Sequence, residues 1–192
     1  MKKMSFVILA ILLGCSGNVF SQMQYLLKQV IIVNSGIFEM EDPTDFVTVS
    51  SYDPINGVSF IFDTIYTQSA QSVKVENGFA FVAAQDSLVK YNLDTYERVV
   101  EVKVGGVNQL EIYNDYLIVG RQYPATNKYV KIYNKTDLSE IAAFEGISGD
   151  TYGITVDNDT AFIAVNGGWS GTTGSLVKIY FGGSEPIFIE EM

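Results

Sequence analysis

Short apolar runs in pairs, each pair broken by a polar bend, recur along most of the chain. The pattern is clearest in SVKVENGFAFVAA (Ser72 to Ala84), QLEIYNDYLIVGR (Gln109 to Arg121) and GITVDNDTAFIAV (Gly153 to Val165). In each, two alternating apolar residues (Val73/Val75, Leu110/Ile112, Ile154/Val156) precede the bend and a second apolar run follows it. Period-two alternation on both sides of a bend predicts a β-hairpin. The bends are Glu76-Asn77-Gly78, Tyr113-Asn114-Asp115 and Asp157-Asn158-Asp159, and only the asparagine is common to all three. Asn beside Gly or Asp tolerates the positive φ of a tight hairpin turn. Asp157 and Asp159 offer oxygens to a cation, but calcium takes more converging oxygens than one bend supplies. The stretch therefore reads as a corner, and no metal site is assigned.

A second unit follows each hairpin. Leu88 to Tyr96 runs on to Val99-Val100, Val130 to Leu138 runs on to Ile141, and Val177-Lys178-Ile179-Tyr180 leads through Gly182-Gly183 to Pro186 and Ile189. These predict third and fourth strands joined by turns rich in Asn, Asp, Thr and Gly. Upstream, Val30 to Val33, Phe46 to Val49 and Val58 to Phe62 match the second to fourth strands of one more copy, with Tyr25-Leu26-Leu27 a weak first strand. Matched positions Val30, Phe81, Ile118 and Phe162 are spaced by 51, 37 and 44 residues. Four-stranded antiparallel units repeating every ~40 to 50 residues predict an all-β fold, a β-propeller of about four blades forming part of a ring. The blades fall at about residues 29–66, 69–105, 106–148 and 150–192. A sandwich of unrelated strands is the competing fold, but it does not account for Asn recurring at the first bend and Tyr on the third strand (Tyr52, Tyr91, Tyr133, Tyr180).

The amino-terminal segment follows different rules. Lys2 and Lys3 precede an apolar run from Phe6 to Leu13, of export-leader length and too short to cross a bilayer as a helix. Two processing sites compete. Leu12-Leu13-Gly14-Cys15 resembles a lipobox, which would make Cys15 a lipidation site and a membrane tether; Val19-Phe20-Ser21 before Gln22 resembles an ordinary leader cut that releases the chain. Both predict export, with 1–21 as leader and 22–28 as a short linker. The chain carries a net charge of −10, and losing Lys2 and Lys3 makes it more negative still. Such a polyanion repels phosphate backbones and anionic lipid, so nucleic acid is excluded as a partner, and membrane contact is left to the lipid anchor.

The turns and strand edges also resemble a known family. Val33-Asn34-Ser35-Gly36, Ser51-Tyr52-Asp53-Pro54, Ala70-Gln71-Ser72-Val73 and Lys90-Tyr91-Asn92-Leu93-Asp94-Thr95 look like the exported YncE-like propellers of Gram-negative bacteria, over residues 29 to 192. The resemblance implies a seven-bladed parent ring and a cell-surface, outer-membrane or extracellular location. In some relatives it implies capture of a corrinoid (vitamin B12) for delivery to an outer-membrane transporter.

With no histidine, Ser-His-Asp, Cys-His and His-ligated metal chemistry are excluded. No phosphate-cradling glycine loop and no CxxC pair are present, and no cofactor is expected. What is left for catalysis is a carboxylate pair from Glu39, Glu41, Asp42, Asp45 and Asp150, as in carbohydrate-cleaving enzymes. Binding is the leading expectation, with a small molecule or an outer-membrane protein as partner; a truncated propeller with no activity of its own is a third reading. Loops between second and third strands, and those linking one blade to the next, share one face of a propeller. They run over 38–45, 85–87, 122–127 and 166–174, and over 67–71, 105–108 and 148–152. The candidate ligand-binding residues on them are Trp169, the only tryptophan, set among glycines; Tyr123 at a loop tip; and Gln71, Asn108 and Tyr152, at matched places near the start of each first strand. An aromatic on a polar loop suits stacking on a sugar or flat ligand, or else folds back over the blade edge. Lys90, Lys131 and Lys178 are expected on the solvent face of the third strand.

Overall fold

The computed structural model of the chain describes residues 28–36, 45–168 and 173–192. Cys15, the leader, Trp169 and the acidic residues Glu39, Glu41 and Asp42 lie outside the described residues. Among those described, every regular element is a strand. Blade 1 holds β1 (Val30–Asn34), β2 (Val47–Asp53) and β3 (Val58–Ile65). Blade 2 holds β4 (Ala70–Glu76), β5 (Phe79–Ala84), β6 (Ser87–Asn92) and β7 (Arg98–Lys103). Blade 3 runs β8 (Val107–Tyr113), β9 (Tyr116–Arg121), β10 (Val130–Asn134) and β11 (Glu140–Phe144). Blade 4 runs β12 (Thr151–Asp157), β13 (Thr160–Val165), β14 (Ser175–Tyr180) and β15 (Ile187–Glu191). Each sheet is an antiparallel meander in chain order, three-stranded among the described residues of blade 1 and four-stranded in the rest; the weak first strand expected at Tyr25 to Leu27 lies outside the described residues.

The hairpin corners form where the asparagines fall. Asn77, Asn114 and Asn158 have φ of 49°, 52° and 44°, a left-handed conformation that Asn adopts more readily than most side chains. Asp157-Asn158-Asp159 is thus the corner between β12 and β13. The third-to-fourth-strand turns are built on a different device. The carboxylate of Asp53 accepts from Ile55 N, and the side-chain amide oxygens of Asn92 and Asn134 accept from Asp94 N and Thr136 N. Each closes an Asx turn at the same place in its blade.

First strands lie side by side along one axis: β4 against β8, and β8 against β12. The sheets fan outward from them, with a hydrophobic core between each neighbouring pair. Val47, Val49 and Ile65 of blade 1 meet Ala80, Val82, Val89 and Tyr91 of blade 2. Phe81, Ala83 and Leu88 of blade 2 meet Leu110, Leu117, Val119 and Tyr133 of blade 3. Ile118, Val130 and Ile132 of blade 3 meet Ala161, Ile163, Val177 and Ile179 of blade 4. Each middle blade is therefore apolar on both faces, as a propeller blade must be. Among the described residues no fourth core joins blade 4 to blade 1, and the ring is open. In every blade a β-bulge interrupts pairing between the outer two strands, at Val49/Ser50, Lys90/Tyr91, Ile132/Tyr133 and Lys178/Ile179.

Three expectations need correction. The Asx turns align Asp53 with Asn92, which makes Ile31, not Val30, the partner of Phe81; Ile31 accordingly packs into the first inter-blade core. Tyr180 does not continue the tyrosine series. Leu93 N, Lys135 N and Phe181 N donate to Gly78 O, Asp115 O and Asp159 O, so Tyr180 stands where Asn92 and Asn134 stand, and Ile179 takes the buried place of Tyr91 and Tyr133. Lys90 is not on a solvent face: it is 5% exposed. Its ammonium crosses to blade 3, donates to Lys135 O (3.0 Å) and Thr136 O (2.9 Å), and sits 4.4 Å from the ring centre of Phe79. Burial and the nearby Lys135 charge lower its pKa. Lys131 and Lys178 are partly exposed and pair with Glu140 (2.7 Å) and Glu190 (2.8 Å) on the neighbouring outer strands.

Candidate functional site

The loop face between blades 3 and 4 carries a cleft of about 940 Å³. It is lined by Gln122, Tyr123, Tyr129, Ser148 to Asp150, Tyr152 and Asn166 to Gly168. Its construction starts at Gly106, whose φ is +71°. Gln122 N donates to Gly106 O at 2.7 Å, and a Cβ at Gly106 would lie 1.9 Å from Gln122 O, so only glycine permits the approach. Ala125 N donates to Gln122 O at 2.9 Å, closing a turn that carries Tyr123 into solvent, 82% exposed. Arg121 fixes both ends of this loop. Its Nε donates to Gly105 O at 2.8 Å, and its Nη1 donates to Asn127 O and Lys128 O at 3.0 and 2.9 Å.

The opposite wall belongs to blade 4. Thr151 is fully buried at its base; its Oγ1 accepts from Arg121 N at 2.8 Å and lies within donating distance of Arg121 O and Tyr129 O. The backbone of β12 therefore enters the cleft locked to blade 3, with Tyr152 40% exposed on the next residue. Ser148 is braced by Glu191 at the end of β15: the carboxylate accepts from Ser148 N at 2.9 Å and from the hydroxyls of Ser148 and Ser175. Burial would raise the Glu191 pKa, but these donors outweigh it and hold the carboxyl below its ordinary 4.5. Asn166 N donates to Asp150 O at 2.8 Å, which holds Asn166 against the inter-blade link.

Tyr123 and Tyr152 therefore meet in one cleft, as candidates for one ligand must. Trp169 lies outside the described residues, although Asn166 to Gly168 on its loop form part of the lining. Asn108 is placed otherwise: it is 4% exposed beneath the cleft, and its amide donates to Thr151 O at 2.8 Å. It ties blade 3 to blade 4 and supports the site from below. Gln71 sits at the start of blade 2, its amide donating to Ser69 Oγ at 2.6 Å, and it does not line this cleft. Tyr129 lines the cleft and was missed by sequence reasoning. Its signal was its position, an aromatic immediately ahead of the third strand, at the loop end of the blade.

A second cleft, about 610 Å³, opens at the other end of the fan between blades 1 and 2. Asp53, Asn56, Phe60 and Tyr96 line it together with Gln29 and Ser51. The Gln29 amide donates to Ser51 Oγ (2.8 Å) and Tyr96 OH (2.9 Å), so these polar groups are already satisfied by one another.

Known proteins extend the fold but not the site. No family model matches the chain, and no curated protein does. Among solved structures it is similar to the computationally designed Ika8 protein, at TM-score 0.60 and 10% identity, covering 83% of this chain and 48% of that one. The computationally designed Ika4 protein gives 0.57 at 12% identity, with 79% and 92% covered. BamB from Moraxella catarrhalis gives 0.52 at 11% identity, with 77% and 46% covered. The fold is a β-propeller scaffold. The chain spans about half the length of Ika8 and of BamB.

Proposed function

We propose that this protein is a non-catalytic, exported binding propeller that takes a small ring-shaped ligand in the cleft between blades 3 and 4. The observation that carries the reading is the convergence of Tyr123 and Tyr129 from the β9–β10 loop with Tyr152 from β12, around Asp150 and Asn166. Aromatic faces supply stacking area, and the carboxylate, amides and backbone groups supply orientation, as small-molecule sites require. At about 940 Å³ the cleft is at the large end of the range for such ligands. The leader-like segment from Lys2 to Ser21 supports export, with release after Ser21 or tethering through Cys15.

The resemblance to the exported propellers supports a corrinoid as the specific ligand and an outer-membrane transporter as the recipient. A carbohydrate ring likewise offers a stacking face edged by hydrogen-bonding groups. Carboxylate-pair hydrolysis is less well supported, because Asp150 is the only carboxylate among the described lining residues and the reaction takes two.

Calorimetric titration with cyanocobalamin and with neutral oligosaccharides tests the reading. Saturable binding of one class is expected, weakened ~10-fold or more by Tyr123→Ala, since a lost aromatic stack is worth about 0.5 to 1.5 kcal/mol beyond its buried area. Absence of heat with both classes, or full affinity in the variant, refutes the site.

A further inference from the structure

Among the described residues, the two ends of the fan expose unmatched halves of an interface that the molecule builds three times internally. On blade 4, Phe162, Leu176, Lys178 and Tyr180 occupy the face that in blades 2 and 3 is covered by the next blade. On blade 1, Val30, Ile32 and Ile61 occupy the face that in blades 2 to 4 is covered by the preceding one. Ile61 is 60% exposed, and Tyr180 39%. Apolar faces of this kind mark interaction surfaces.

We infer that these two faces bind each other between copies of this chain, blade 4 of one protomer onto blade 1 of the next, and that two copies close a ring. Strand pairing identifies the contact in more detail. Lys178 lies opposite Phe162, as Lys90 lies opposite Phe81, so Lys178 is the blade 4 counterpart of Lys90. Lys90 reaches into the following blade and donates to the backbone carbonyls of the two residues after Asn134. The counterpart of Asn134 on blade 1 is Asp53, which carries the same Asx turn. A docked second copy therefore presents Lys178 with the carbonyls of Pro54 and Ile55. The blade 4 face brings a cation to a blade 1 turn that offers carbonyl acceptors. Two copies together match the length of Ika8 or of BamB, of which this chain spans 48% and 46%. Because the contact is head-to-tail, closure after two protomers is what prevents filament growth.

Light scattering on the eluting full-length chain tests the inference, with a mass of twice the 21.2 kDa protomer expected. Ile61→Lys on blade 1 and Leu176→Lys on blade 4 should each weaken self-association roughly 10-fold or more, by placing an unpaired charge in an apolar contact. Mixed in equal amounts, the two variants should regain association, since one of the two contacts in the mixed pair joins unaltered faces. Circular dichroism of each variant shows that the strands remain. A monomeric unaltered chain overturns the inference, and so does a dimer that only one of the two variants disrupts, which indicates a contact between identical faces.

Discussion

Gly120→Ala is the sharpest probe of how the cleft is held. A Cβ at Gly120 would lie 2.7 Å from Thr151 Oγ1 and 3.4 Å from Ile154 Cδ1. Both neighbours belong to β12, so the methyl pushes directly on the joint between blades 3 and 4. Two outcomes are open to the protein. Blade 4 shifts by several tenths of an ångström, an overpacking cost of ~1 to 3 kcal/mol, or Thr151 turns its hydroxyl away and gives up its contacts with Arg121 and Tyr129, a cost of about 1 to 3 kcal/mol. The expected destabilisation is therefore ~2 kcal/mol, a substantial part of the ~5 to 15 kcal/mol that holds a typical domain. Urea denaturation of Gly120→Ala, Thr151→Ala and the double variant reads this directly. With Thr151→Ala the obstructing oxygen is gone, and the nearest atoms left, Ile154 Cδ1 at 3.4 Å and Cβ of residue 151 at 3.5 Å, are in ordinary contact. The second substitution should then cost much less than it does alone, giving a coupling of roughly 1 kcal/mol or more. Strict additivity of the two changes, or a Gly120→Ala protein as stable as the parent, refutes the account.

Lys90→Ala should destabilise by about 2 to 3 kcal/mol, since it strips the covering from Phe79 and Phe81 and leaves two turn carbonyls without their donor; a change under ~0.5 kcal/mol in thermal or urea unfolding contradicts the buried assignment. Tyr91 and Tyr133 both have phenols raised above their ordinary 10.0, chiefly by burial, so the unfolded chain loses these protons first and stability falls as pH rises past 10. Phenolate absorbance should accordingly show a group of tyrosines titrating only together with loss of sheet structure, and smooth titration of all twelve ahead of unfolding argues against it. Glu191 works in the opposite sense: its lowered pKa contributes stability above 4.5 that is lost on acidification, so Glu191→Gln should flatten the acid limb of the stability curve.

The hairpins were legible because Asn77, Asn114 and Asn158 occupy corners where backbone sterics leave few alternatives. The loop face was legible for a related reason. Once strands are counted off in fours, the loops carrying Tyr123 and Tyr152 fall at the same end. Register within the strands was not. The run from Val30 to Val33 is apolar at every position, so no polar side reveals its alternation and a one-residue slip meets no visible conflict. Lys90 was misplaced by the opposite assumption, that a charge on a strand must face water; the carbonyls that receive it belong to a turn some 45 residues away. Asn108 shows the same limit, since its partner Thr151 O lies in the next blade and nothing local announces it.

The bulges between the outer strands bear on what this acidic protein does at high concentration. Each one bends the rim strand away from straight, and charged residues such as Arg98, Glu140 and Glu190 sit along those rims. A kinked, charged edge is a poor template for a stranger's backbone, which shuts off the route by which sheets recruit one another into fibrils. Sticking is thereby confined to flat surfaces, where shape and side chains decide who is admitted.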